Sequence, residues 1–187
     1  MPDRIEAVLW DFGGVILSSP FDAFATYERE AGLPENFIRG LNARNPDTNA
    51  WARMERSDIS RDEFVVAFEA LRRVRTRHRV ACITNNMKAG DGPGMAASRE
   101  RARQVAEIMS LFEHVVESSK LGVRKPDPRI YHHACDLLGV APEACVYLDD
   151  LGVNLKPARA MGMRTIKVGD PALAIAELEA MVGFALR

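Results

Sequence analysis

The chain has 187 residues, 47% hydrophobic and 27% charged, with 25 lysines and arginines against 26 aspartates and glutamates. That length supports one real core with a small appended module, and a net charge of −1 gives no global pull toward nucleic acid or an anionic membrane. No apolar run approaches the roughly 18 residues of a membrane span, and the opening MPDRIEAV lacks a basic-then-apolar secretory layout.

The first predicted strand is IEAVLW (5–10), and it runs into Asp11 and a Gly13-Gly14 turn. Residues 18–71 read as helical without a convincing strand, so they are expected to form a small helical cap inserted after the first strand. Within that stretch Ser60-Arg61-Asp62-Glu63 fits a capping box, followed at helical spacing by Phe64, Val65, Ala67, Phe68 and Leu71. Four more strand-length runs follow: RVACIT (79–84), HVVES (114–118), CVYLD (145–149) and RTIKV (164–168). Residues 89–98 read as a flexible loop. Asp127-Pro128 reads as an N-cap and first helical residue, and Gly139 as the stop. A helix from Asn154 to Met161 should end at Gly162, and PALAIAELEAMVGF should form a last amphipathic helix. Strands alternating with helices predict a doubly wound α/β, Rossmann-like core over 1–17 and 72–187, with a five-stranded parallel sheet.

Polar residues collect where these strands end. Asp11 follows the first, Thr84-Asn85-Asn86 the second and Asp149-Asp150 the fourth, while Lys125 lies in GVRKPDP before a helix. Open parallel sheets bind ligands beyond the carboxyl ends of their strands. If the first and fourth strands are neighbours, Asp11 meets the acid pair. Clustered carboxylates repel unless a cation lies between them, and hard oxygen ligands suit Mg²⁺. Thr84, Asn85 and backbone N–H groups can donate to a phosphate, with Lys125 supplying charge.

The stretches WDFGGVIL, ACITNN, GVRKPDPRIY and VYLDDLGVNLKPARAMGMRTIKV resemble, in order, the four motifs of the haloacid dehalogenase-like superfamily. The last two are especially similar to those of the phosphatase domain at the front of soluble epoxide hydrolase, and to the equivalent domain of some acyl-CoA dehydrogenase family proteins. The resemblance implies strand order 3-2-1-4-5 and hydrolysis of a small phosphorylated molecule. It makes Asp11 the nucleophile, with Mg²⁺ held by Asp11, the backbone carbonyl of Gly13 and Asp150, and Asp149 beside it or one shell out. Thr84, Asn85, Gly13 and Gly14 would bind phosphate, Lys125 would neutralise charge, and Asn154 would orient the acid pair. Apart from the resemblance, free thiols suit a cytoplasmic chain, the charge balance points to neither nucleic-acid nor membrane partners, and the apolar last helix and cap leave a monomer or a homodimer open.

Two departures matter. Superfamily phosphatases usually carry a second Asp two residues after the nucleophile, which protonates the leaving oxygen and later activates water. Here that position is Gly13. Losing a positioned general acid-base costs about 10²–10⁴ in rate. FEALRRVRTRHRV also runs into the second strand almost directly, where the resemblance leads one to expect a longer return from the cap. Two alternatives therefore stay open: a degenerate domain that binds phosphate or Mg²⁺ without turnover, and a dehalogenase using the same Asp.

Other features have plainer readings. The arginines of residues 71–79 lack interleaved aromatics and read as a solvated helix end. His132 and His133 are adjacent on a helix and do not share a face. Cys82, Cys135 and Cys145 lack metal-ligand spacing and read as buried free thiols. Trp51 is expected in the cap core, with a substrate contact as its alternative.

Overall fold

In the computed structural model the described residues are 4–13, 15–16, 61–86 and 106–186. The expected cap up to residue 60, with Trp51, lies outside them, as do Gly14 and the glycine-rich loop.

Five strands form one sheet: β1 (Ala7–Trp10), β2 (Arg79–Thr84), β3 (His114–Glu117), β4 (Cys145–Asp149) and β5 (Arg164–Lys167). The order is β3-β2-β1-β4-β5, and every pairing is parallel. This is the order that the superfamily resemblance implies. β1 is central, with Val8 opposite both Val80 and Val146. The strands are apolar almost throughout because helices cover both faces. Val8, Trp10, Val80, Cys82, Val146 and Leu148 pack to one side; Ala7, Leu9, Ala81, Ile83, Cys145 and Tyr147 pack to the other.

The first face is covered by α1 (Arg61–Val74), a helical turn at residues 106–109, and the last helix, α5 (Pro171–Val182). Ala70, Leu71 and Val74 of α1 are fully buried there, so this helix runs past residue 71 as part of the core layer. A four-residue turn, α2 (Ser118–Leu121), follows β3 directly. The other face carries α3 (Pro128–Leu138) and α4 (Gly152–Ala160).

Local chemistry sets several helix ends where the sequence places them. Asp127 accepts a hydrogen bond from the Arg129 N–H at 3.0 Å, and Asp170 accepts one from the Leu173 N–H at 3.0 Å, each with a proline as first helical residue. Gly139 stops α3 at φ 64°, a conformation that costs other L-residues roughly 1–2 kcal/mol. α4 departs slightly: it begins two residues before Asn154, and Met161 caps it in a right-handed conformation.

The arginine run is spread over separate contacts. Arg72 pairs with Glu69 at 3.2 Å, Arg77 lies 4.6 Å from the Phe184 ring centroid, and Arg79 pairs with Glu113 at 2.9 Å. The three cysteines are buried and form no disulfide. Among the described residues no helix is long and apolar enough to cross a membrane.

Candidate active site

The carboxyl ends of β1, β2 and β4 lie side by side, and the strand order explains what collects there. Asp11 immediately follows β1, and its N–H continues the ladder to the Leu148 carbonyl at 2.8 Å. Its Oδ1 accepts the Phe12 N–H at 2.7 Å, which turns the side chain back over the strand end.

Lys125 comes from the loop before α3, with a cis peptide to Pro126. Its side chain is 1% exposed, and Nζ reaches Asp11 Oδ1 at 2.6 Å and Asp149 Oδ2 at 2.9 Å. A buried ammonium is costly alone, but here two carboxylates share it. The loop is held by Asn85, just beyond β2. Asn85 Oδ1 accepts the Lys125 N–H at 2.8 Å, and its Nδ2 donates to the Lys125 carbonyl at 3.0 Å. Asn86 turns the other way, donating to Glu117 at 2.7 Å and accepting the Ser119 N–H at 3.1 Å. Thr84, the last residue of β2, is buried.

Asp149 is fully buried, and protein donors surround it. Oδ2 receives Lys125 Nζ, the Tyr147 hydroxyl and Asn154 Nδ2 at 3.0 Å; Oδ1 receives the Leu151 N–H at 2.8 Å and again Asn154 Nδ2 at 3.0 Å. Asn154 is fixed in turn through its carbonyl, which accepts the Tyr131 hydroxyl at 2.8 Å. The neighbouring Asp150 is half-buried, and carboxylate oxygens of Asp11, Asp149 and Asp150 all lie within 4.8 Å of one another. That is a separation three oxygen ligands of one small cation can close.

Charge balance follows from burial. Desolvation pushes the Asp11 carboxyl up to about 7; Lys125 opposes the rise, while Asp149 and Asp150 add to it. For Lys125, burial favours loss of its proton, but Asp11 and Asp149 outweigh this and hold the ammonium above its ordinary value.

Of the residues singled out in the sequence, Asp11, Lys125, Asp149, Asp150 and Asn154 come together here, with Thr84 and Asn85 at the adjoining strand end. Asn85 spends its side chain on the Lys125 backbone. A Cβ added at Gly13 would meet no described atom within 4 Å. Tyr147 was not singled out, although a signal exists: residues two apart on a strand share a face, so Tyr147 stands beside Asp149. Its ring also packs edge-on against Tyr131 at 5.3 Å.

A parallel sheet in this order, with an acid cluster and a buried lysine at its strand tips, defines a class of hydrolase core. Residues 51–162 match the family model described as haloacid dehalogenase-like hydrolase. The chain belongs to that family. It is 29% identical over 216 residues to acyl-CoA dehydrogenase family member 10 of Mus musculus, covering 97% of this chain and 19% of that protein. That alignment is longer than the chain's 187 residues, so the relative carries residues this chain lacks. Bifunctional epoxide hydrolase 2 of Mus musculus is 41% identical over 102 residues, covering 54% of this chain and 18% of that one. A protein named glyceraldehyde 3-phosphate phosphatase, from Methanopyrus kandleri, is 40% identical over 62 residues, covering 33% and 27%. The chain thus spans under a third of the length of each of these relatives.

Proposed function

We propose that the protein is a Mg²⁺-dependent phosphatase of small phosphorylated molecules, working through an aspartyl-phosphate on Asp11. The observation that carries this reading is the position of Lys125 Nζ, 2.6 Å from Asp11 Oδ1, with an acid pair closing on the same point. A relative named as a phosphatase supports the substrate class.

The donor set fits the metal. Three carboxylates within 4.8 Å offer hard oxygens only, which suits Mg²⁺ better than softer ions. Asp11, Asp150 and the Gly13 carbonyl would hold it; Asp149, whose oxygens already accept five hydrogen bonds from protein donors, serves better as the anchor behind them. Bound there, Mg²⁺ would supply charge against the phosphoryl oxygens.

Asp11 attacks phosphorus. Lys125 starts between two carboxylates and can follow the negative charge as it moves from Asp11 onto the phosphoryl group. The Thr84 hydroxyl and the main-chain N–H of Asn85 would donate to the phosphoryl oxygens. Asn154 and Tyr147 keep Asp149 in place, and Asp149 keeps Lys125 aimed. Phosphoryl transfer depends chiefly on positioning and charge neutralisation, and this set provides both.

The test is phosphate release from an activated aryl phosphate, with Mg²⁺, with EDTA, and by Asp11→Asn. Activity should vanish in the last two; activity persisting in Asp11→Asn would remove the reading. Gly13 favours a second reading, a regulatory domain that binds without turnover. Its mark would be no phosphate release beside retained Mg²⁺ and phosphate-analogue binding.

A further inference from the structure

A phosphate monoester of an alcohol cannot lose its alcohol easily unless something protonates the departing oxygen. That donor must lie within hydrogen-bond reach of the scissile bond. Two residues after Asp11 stands Gly13, which has no side chain to offer. The polar hydrogens that the described residues bring to Asp11 point elsewhere. Lys125 Nζ is bound to Asp11 at 2.6 Å and to Asp149 at 2.9 Å. The Tyr147 hydroxyl and the Asn154 amide are both spent on Asp149. These contacts fix the nucleophile and its counter-charge. Packing does not impose the glycine either, because an added Cβ meets no described atom within 4 Å and the backbone there is not left-handed. Among the described residues, then, the side chains gathered at Asp11 supply attack at phosphorus and charge, and position 13 supplies no proton donor.

We infer that the substrates are activated phosphates, acyl phosphates foremost, whose leaving oxygen departs as a stable anion. The inference deepens the phosphatase reading and rests on it. An Asp11 oxygen bonds to phosphorus as the bond from phosphorus to the acyl oxygen breaks. The electron pair leaves on a carboxylate, and no proton moves. Water then attacks the phosphorus of phospho-Asp11, the bond to Asp11 breaks, and the water's protons pass to phosphate and solvent. The net change turns acyl phosphate and water into carboxylate, inorganic phosphate and one proton. With an alkyl phosphate the same first step would have to expel an alkoxide.

The experiment measures Mg²⁺-dependent phosphate release from acetyl phosphate, 4-nitrophenyl phosphate, phenyl phosphate and an alkyl phosphate, with Asp11→Asn as background. In the wild-type chain kcat/KM should fall steeply as the leaving group becomes more basic, by at least about 10²-fold from the nitrophenyl to the alkyl ester, the scale of a missing general acid. Gly13→Asp should flatten the series by raising the alkyl rate most. A flat wild-type series would overturn the inference and leave the phosphatase reading standing. No Asp11-dependent release from any member would overturn both. The wild-type series decides even if the variant fails to fold.

Discussion

Asn85 clasps Lys125 through its main chain: one amide group receives the lysine N–H at 2.8 Å and gives a hydrogen bond to the lysine carbonyl at 3.0 Å. The side chain at the end of β2 thereby sets the height of a loop 40 residues away, and with it the place of the ammonium. Replacing Asn85 with Ala leaves two main-chain groups to find other partners, at roughly 1–3 kcal/mol. Urea unfolding should show that loss, and kcat should fall with it. Asn85→Asp should do no better, since it cannot donate to the carbonyl. Wild-type stability in Asn85→Ala would mean the clasp is idle.

Lys125→Met tests the buried charge cluster. It leaves Asp11 and Asp149 without their shared cation, and breaking such a pair costs about 3–5 kcal/mol. The loss should shrink as pH falls from 8 to 5, because the unpaired carboxylates can then take up protons. Equal losses at both pH values would contradict the arrangement.

Asp11 itself predicts a pH dependence. Its carboxyl is raised in the fold to about 7 from an ordinary 3.8, with burial as the first cause. A raised acid binds its proton more tightly when folded. Its contribution to stability is complete below the unfolded value and is lost as pH rises through about 7. Metal-free protein should therefore lose melting temperature between pH 5 and 8, and Asp11→Asn should show less of that slope. A metal ligand must be deprotonated, so the thermal shift on adding Mg²⁺ should be larger at pH 8 than at pH 5.5. A Mg²⁺ shift independent of pH would exclude Asp11 as a ligand.

Two glycines should respond oppositely to alanine. Gly139 caps α3 at φ 64°, so Gly139→Ala should destabilise by roughly 1–2 kcal/mol through backbone strain. At Gly13 neither backbone nor described neighbours oppose a Cβ, and Gly13→Ala should stay within about 0.5 kcal/mol of wild type. Chemical denaturation measures both. A large loss at Gly13 would show that packing, rather than chemistry, holds the glycine.

Much of the architecture was legible because its causes are local. Short Val/Ile/Leu runs ending in polar residues marked β1, β2 and β4; Asp127-Pro128 marked a helix start by side-chain capping. The acids and Lys125 could be placed at strand ends, since chain direction alone decides which residues leave a parallel sheet at its ligand-binding edge. Asn85 shows where such reasoning stops: its residue type suits phosphate, yet its side chain is spent on a backbone that sequence distance hides.

The order of residues along the chain determined which groups stand at the strand tips, because the alternation of strands and helices and the caps that end them are properties of neighbours. Only the tertiary structure decided what those groups do to one another. It put β1 between β2 and β4, buried Lys125 between two acids far apart in the chain, and surrounded Asp149 with donors from three different segments. Burial and electrostatic coupling act between atoms brought together in space, and they set the charge of Asp11 in a way no local pattern encodes.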